Sequence, residues 1–201
     1  MNKKLEIALK GSANILPLLI PVVPFGIILG AIGVELGFSI FETFATSFII
    51  FGGASQIVFL QLLSGGASQI IAVSSAFVVN SRHFLYGATL SEYLNKLPIY
   101  WKIILSYLLT DQAFAVSNNY LKENENNQLK HYHLLGSGLT LWTIWQISTL
   151  LGVFRLSHPA VPGAAVTANR VFYTATAPLT ALAWQRNRML GPIGPALLSH
   201  I

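Results

Sequence analysis

The sequence predicts an all-α, polytopic membrane protein, and three observations carry that reading. Only 9% of the 201 residues are charged while 53% are hydrophobic, with a mean hydropathy of +0.60. Soluble domains carry about 25% charged residues, so there is too little charge here to cover a water-facing surface. An uncharged run of 39 residues extends from Thr43 to Ser81, between Glu42 and Arg82. Within it the hexapeptide Gly-Gly-Ala-Ser-Gln-Ile occurs twice, at 52–57 and 65–70. Two adjacent glycines weaken a helix by roughly 1 kcal/mol each relative to alanine, and a glutamine in hydrocarbon must find a partner. Such a segment either breaks a helix or packs two helices very closely. Both fit a membrane protein with a polar site.

About 20 apolar residues cross the hydrocarbon core, and the pattern yields about five spans. The first runs from Ile15 to Val34 and contains Pro17, Pro21 and Pro24. Their spacing removes backbone donors on nearly one face, so Pro21, Pro24 and Gly26 mark an expected helix break. The second span, Thr43 to Leu63, is interrupted by the first hexapeptide, and Ser64–Gln69 reads as a tight connection. The third runs from Ile70 to about Leu90 and turns polar at Asn80-Ser81-Arg82-His83. After a loop at Ser91–Lys102, Ile103–Asn118 is the fourth span, with Asp111 and Gln112 near its middle. The hydrophilic stretch Asn119–His133 is expected to be solvated, and Leu134–Phe154 is a clean fifth span.

The chain changes character at Arg155. Seven lysines and one arginine precede it; four arginines and no lysine follow from there. Acidic residues stop at Glu125, isoleucine thins to Ile193 and Ile201, and no 20-residue apolar run remains. The expected organisation is a transmembrane domain over 1–154 and an atypical tail over 155–201.

Several classes fall away. The absence of cysteine excludes disulfides and thiol chemistry and leaves the redox compartment open. The net charge of +5 comes without a dense basic stripe interleaved with aromatics, so it reads as a topology signal rather than a nucleic-acid surface. Lys3, Lys4 and Lys10 place the N-terminus in the cytoplasm by the positive-inside rule. His131 and His133 sit in a polar stretch without carboxylate or thiolate companions, so no metal site is expected. Phosphate-binding loops, dinucleotide fingerprints and nucleophile elbows are absent, which argues against an enzyme.

Polar groups inside apolar sequence carry the functional reading. Intramembrane charges cost roughly 2.5–3.5 kcal/mol each and default to function. Arg82, His83 and Asp111 are therefore candidates for gating or coupling, with Asp111 able to pair with Arg82 across two helices and His83 able to titrate near neutral pH. Gly52 and Gly53 could serve as a close helix contact, or could let the backbone open beside Ser55 and Gln56. Broken helices offering helix ends and free carbonyls are how many secondary transporters hold charged small molecules. An amino acid zwitterion suits such a site.

Pro24-Phe25-Gly26, Phe51-Gly52-Gly53-Ala54-Ser55-Gln56, Val79-Asn80-Ser81-Arg82-His83-Phe84-Leu85-Tyr86 and Leu109-Thr110-Asp111-Gln112-Ala113-Phe114 follow one another in order. This set resembles the motifs of the AzlC (YgaZ-type) branched-chain amino acid permeases, over about residues 15–154. The resemblance implies a multi-pass protein of the bacterial inner membrane that exports branched-chain amino acids. It also implies a small hydrophobic AzlD-like (YgaH-type) membrane subunit as partner and no cofactor. On that reading Gly52, Gly53, Ser55, Gln56 and Asn80 contact substrate, and Arg82, His83, Asp111 and Gln112 gate or couple. Gln112 departs from the glutamate the family commonly carries there. The tail departs too: the expected Phe-x-x-Pro-Leu-x-Phe segment is missing, as if a shifted reading frame near Phe154 had replaced the native C-terminus. The alternative reading is a non-transporting assembly subunit or an inactive, truncated transporter.

Overall fold

The structure is a computed structural model and describes residues 2–156; the expectations for the tail fall outside the described residues. Those residues form eight helices: α1 (Lys3–Glu35), α2 (Ile40–Ile50), α3 (Gly53–Ser64), α4 (Gln69–Asn80), α5 (Arg82–Leu94), α6 (Ile99–Tyr107), α7 (Asp111–Glu123) and α8 (His131–Leu156). The all-helical expectation holds.

The expected break in the first helix does not occur. α1 is one helix of 33 residues through Pro17, Pro21 and Pro24. All three prolines lie on the exposed face, opposite the buried stripe Ile7, Gly11, Ile15, Leu19, Val22, Gly26 and Leu29. The hydrogen bonds each proline removes lie along its own face, so the ladder on the packed face stays whole. Gly26 has a different task from the one the sequence suggested. A Cβ there would come to 2.7 Å from Ser148 Cβ, so the glycine permits close approach of α8.

α1 and α8 run parallel. Lys4 lies over the Tyr132 ring, Ser12 donates to the Gly136 carbonyl at 3.2 Å, and Phe25 packs on Trp145 with centroids 5.8 Å apart. Further along, Gly30 meets the backbone of Thr149 and Val153. We call the end carrying Lys4 and Tyr132 the lower end of the bundle. Gly11, Gly30, Gly136 and Gly152 each bring backbone onto backbone across this seam, the device by which small residues allow membrane helices to touch.

The second apolar stretch folds back on itself. α2 descends beside α8: Thr43 meets Gly33, Ser47 bonds Thr149 at 2.8 Å and Phe48 packs on Trp142. Phe51 then takes a left-handed conformation, with φ 40° and ψ 50°, and Gly52 is extended. After this corner α3 rises again, with Gln56 Nε2 reaching Thr46 Oγ1 at 3.4 Å. Phe38 and Leu63 line one cavity of about 570 Å³. Had α3 simply continued α2, these residues would lie on the order of 35 Å apart at 1.5 Å per residue. The second hexapeptide copy opens with the turn that joins α3 to α4 at the top, as the sequence suggested. Gly66 supplies a positive φ of 82°, and Ser68 caps α4 by accepting from Ile71 N.

α4 and α5 together descend the full height, with a hinge at Ser81. Asn80 ends α4 beside Gly52, and α5 with the turn after it brings Glu92 and Lys96 down to line one cavity with Glu125 and His131. The fourth stretch also folds back. α6 rises from Trp101, packed on His131 and Tyr132, to Tyr107, which accepts from Trp142 Nε1 at 2.9 Å. Thr110 is extended and caps α7, which returns downward past Ser117 and Tyr120. The expected hydrophilic loop is shorter than read. α7 runs to Glu123 and α8 begins at His131, so His133 lies in a helix and is fully buried. Its ring stacks on Tyr120 at 4.0 Å, and its nitrogens meet Asn14 at 3.0 Å and Ser117 at 3.1 Å.

Candidate functional site

Three interruptions meet at half-height: the α2–α3 corner, the α4–α5 hinge and the α6–α7 corner. Each falls on a motif the sequence had singled out. At the first, Gly52 is the N-cap of α3 and supplies no side-chain cap. Gln56 N bonds the Gly52 carbonyl at 2.9 Å, and Ser55 Oγ donates to the same carbonyl at 2.7 Å. The amides of Gly53, Ala54 and Ser55 belong to the first turn, whose N–H groups have no helical acceptor and whose dipole favours negative charge. A Cβ at Gly52 would stand 2.9 Å from Asn80 Oδ1. One at Gly53 would strike the Phe25 ring and come to 2.9 Å from Trp145. Only glycines leave room here for the backbone to lie against Asn80 and an aromatic floor.

The carbonyls freed at the end of α2 are partly answered. Gln146 Nε2 donates to Ser47 O at 3.2 Å, and the Tyr107 hydroxyl donates to Phe48 O. Phe51 is the non-glycine residue with positive φ among the described residues. Such a conformation costs about 1–2 kcal/mol and persists where surrounding contacts over-determine it. Here the Phe51 ring is buried and packs on Tyr107 at 5.9 Å.

The charged residues gather at the other two interruptions. Arg82 Nη1 and Asp111 Oδ2 lie 3.0 Å apart, and both side chains keep about two fifths of their surface exposed (40% and 38%). His83 Nε2 stands 3.9 Å from Asp111 Oδ1, Tyr86 faces the same carboxylate and stacks on Phe114 at 4.5 Å. Asp111 is the first residue of α7, where a carboxylate complements the helix dipole. The sequence had placed it in mid-helix. Gln112 follows in the same turn and stays outside this ion pair.

Buried polar atoms without a hydrogen-bond partner concentrate here: Gln56 Oε1, Asn80 Oδ1, Arg82 Nε, Asp111 Oδ1, Trp145 Nε1 and Gln146 Oε1. Each unmet group of this kind costs about 1–3 kcal/mol, so their clustering marks a place built to meet something polar. The structure thus brings Gly52, Gly53, Ser55, Gln56, Asn80, Arg82, His83 and Asp111 to one region and leaves Gln112 at its edge. Pro21 and Pro24 stay on the outer face of α1. Sequence reasoning missed Tyr107, Trp145 and Gln146. Trp142, Trp145 and Gln146 at helical spacing in an otherwise apolar span were the available signal.

The AzlC protein family model matches residues 17–157 of the chain. The chain belongs to the AzlC family. Its matched stretch is 32% identical over 162 residues to the inner membrane protein YgaZ of Escherichia coli K12, covering 78% of this chain and 66% of that one. An uncharacterized membrane protein of Archaeoglobus fulgidus is 33% identical over 144 residues, covering 72% and 60%. One of Helicobacter pylori J99 is 27% identical over 135 residues, covering 67% and 56%. This AzlC-family chain therefore spans two thirds or less of the relatives it matches. No solved structure matches it. Like those relatives it is a membrane protein, and α1 and α8 are long and apolar enough to cross.

Proposed function

We propose that this AzlC-family chain is a secondary transporter that exports branched-chain amino acids across the bacterial inner membrane, working with a small AzlD-like membrane subunit. The observation that carries the reading is the uncapped first turn of α3, opened by Gly52 and Gly53, standing beside Asn80 and close to the Arg82–Asp111 pair. A carboxylate suits the amides of Gly53, Ala54 and Ser55. An ammonium suits Asn80 Oδ1 and the Asp111 carboxylate, which Arg82 would have to share. The cavity of about 570 Å³ between α2, α3 and α4 reaches Asn80 and is lined by Ile49, Leu60, Ala76 and Phe77, which gives an apolar side chain somewhere to go. Arg82, His83 and Asp111 then act as the switchable charge cluster, a role suited to ionisable groups at membrane depth.

The test is efflux of leucine and valine from preloaded cells that also supply the small subunit. Gln56→Ala and Asp111→Asn are expected to lower efflux at least ten-fold with the protein still present in the membrane. Unchanged efflux in both variants sinks the proposal.

A further inference from the structure

We propose that the α2–α3 and α6–α7 hairpins enter the membrane from opposite faces without crossing it, and that Tyr107 latches their tips together. The topology and the latch stand independently of the proposed transport.

Parallel packing of α1 and α8 puts the start of α8 on the same side as the start of α1. The turn at 95–98 belongs to that side too, because Asn95 and Lys96 line one cavity with Glu125 and His131. α6 leaves this side and α7 comes back to it, since Tyr120 stacks on His133 and carries the Lys10 ammonium 5.0 Å above its ring. The turn at 65–68 belongs to the other side. α2 starts there, with Thr43 against Gly33 near the end of α1, and α3 returns to it, with Leu63 sharing a cavity with Phe38. α1 followed by the upper hairpin, and α4–α5 followed by the lower one, are the same arrangement in opposite senses. That is the inverted organisation in which transporter sites lie between repeats at mid-depth. Unwound backbone at that depth is tolerated where protein buries it or a water-filled cavity meets it.

Tyr107, exposed on one side, joins the tips. The Tyr107 hydroxyl, at the end of α6, donates to the Phe48 carbonyl of α2 and accepts from Trp142 Nε1 at 2.9 Å. Its ring lies 5.9 Å from that of Phe51. One phenol therefore ties both hairpins to α8, one turn of that helix away from Trp145 and Gln146.

The chain has no cysteine, so single cysteines report position without background. The full chain carrying Ser64→Cys, Lys96→Cys or Asn126→Cys is labelled in sealed right-side-out and inverted vesicles with a membrane-impermeant maleimide. Opposed hairpins put Lys96→Cys on the side of Asn126→Cys and Ser64→Cys on the other. Five successive crossings would exchange Ser64 and Lys96, and that result overturns the proposal. For the latch, Ala54→Cys reports the tip. Tyr107→Phe, and separately Trp142→Phe, are expected to raise its labelling rate about five-fold, the population shift that one lost hydrogen bond allows. Unchanged Ala54→Cys labelling in both variants overturns the latch. None of these readouts uses amino acid efflux, so failure here and failure of the transport reading are separable.

Discussion

Gly30→Ala paired with Gly87→Ala isolates what the α1–α8 seam is worth. Both glycines are interior to helices, so both replacements gain about 1 kcal/mol of helix propensity. They differ in what the new methyl meets. At Gly87 nothing lies within 4 Å. At Gly30 the Cβ would overlap the Thr149 carbonyl oxygen and stand 2.8 Å from Val153 N. These are backbone atoms and cannot rotate aside, so α8 must retreat by roughly 1 Å to restore ordinary contact, which forfeits about a quarter to a half of each dispersion well across the seam. With pairs worth about 0.1–0.2 kcal/mol each and on the order of 50 of them along the helices, the loss is about 1–5 kcal/mol. Overpacking elsewhere costs about 1–3 kcal/mol. Subtracting one variant from the other removes the shared propensity gain and leaves Gly30→Ala about 2–3 kcal/mol less stable than Gly87→Ala. Equilibrium unfolding in mixed micelles, followed by tryptophan fluorescence, to which Trp142 and Trp145 on α8 contribute, measures the gap. If Gly30→Ala matches Gly87→Ala within about 0.5 kcal/mol, the close approach that underlies the whole topology is wrong.

His133→Phe keeps the stacking on Tyr120 but removes the partner of Asn14 and one of the two partners of Ser117, which still bonds Ser137 Oγ at 3.1 Å; it is expected to cost about 1–3 kcal/mol by the same unfolding assay. Glu42 supplies a pH signature at the head of α2. The hydroxyl and backbone N–H of Ser39 hold its carboxyl below the ordinary carboxylate range. A carboxyl depressed in the folded state stabilises above its unfolded value, and that contribution is lost as pH falls through the lower folded one. Glu42→Gln should therefore flatten the acid limb of a stability-against-pH curve and leave the neutral region unaltered in shape, as thermal melts across that range would register.

How much of this was legible in the sequence depended on whether the signal was local. The first hexapeptide was read as a helix interruption because adjacent glycines and a Ser-Gln pair are unfavourable in an apolar helix wherever they occur, and α2 does end there. The second copy was separable because its neighbour Ser64 and the short reach to Ile70 demanded a turn. The same six residues use different caps, Gly52 without a side-chain bond and Ser68 with one; context rather than motif decided. The ion pair of Arg82 with Asp111 was reachable from the cost of isolated charge in hydrocarbon. What the sequence concealed was direction. An apolar run of 20 residues is long enough to cross and equally able to fold at its middle, and tertiary contacts such as Gly33 against Thr43, Phe38 with Leu63, and Tyr120 on His133 distinguish the two. The prolines misled for a related reason. Proline's cost in a helix depends on which face loses its bonds, and α1 turns Pro17, Pro21 and Pro24 away from α8. Tyr107 and Trp142 stayed hidden because aromatic residues at membrane depth are ordinarily packing, and the bond from Tyr107 to Phe48 exists only once the ends of α2 and α6 are brought together.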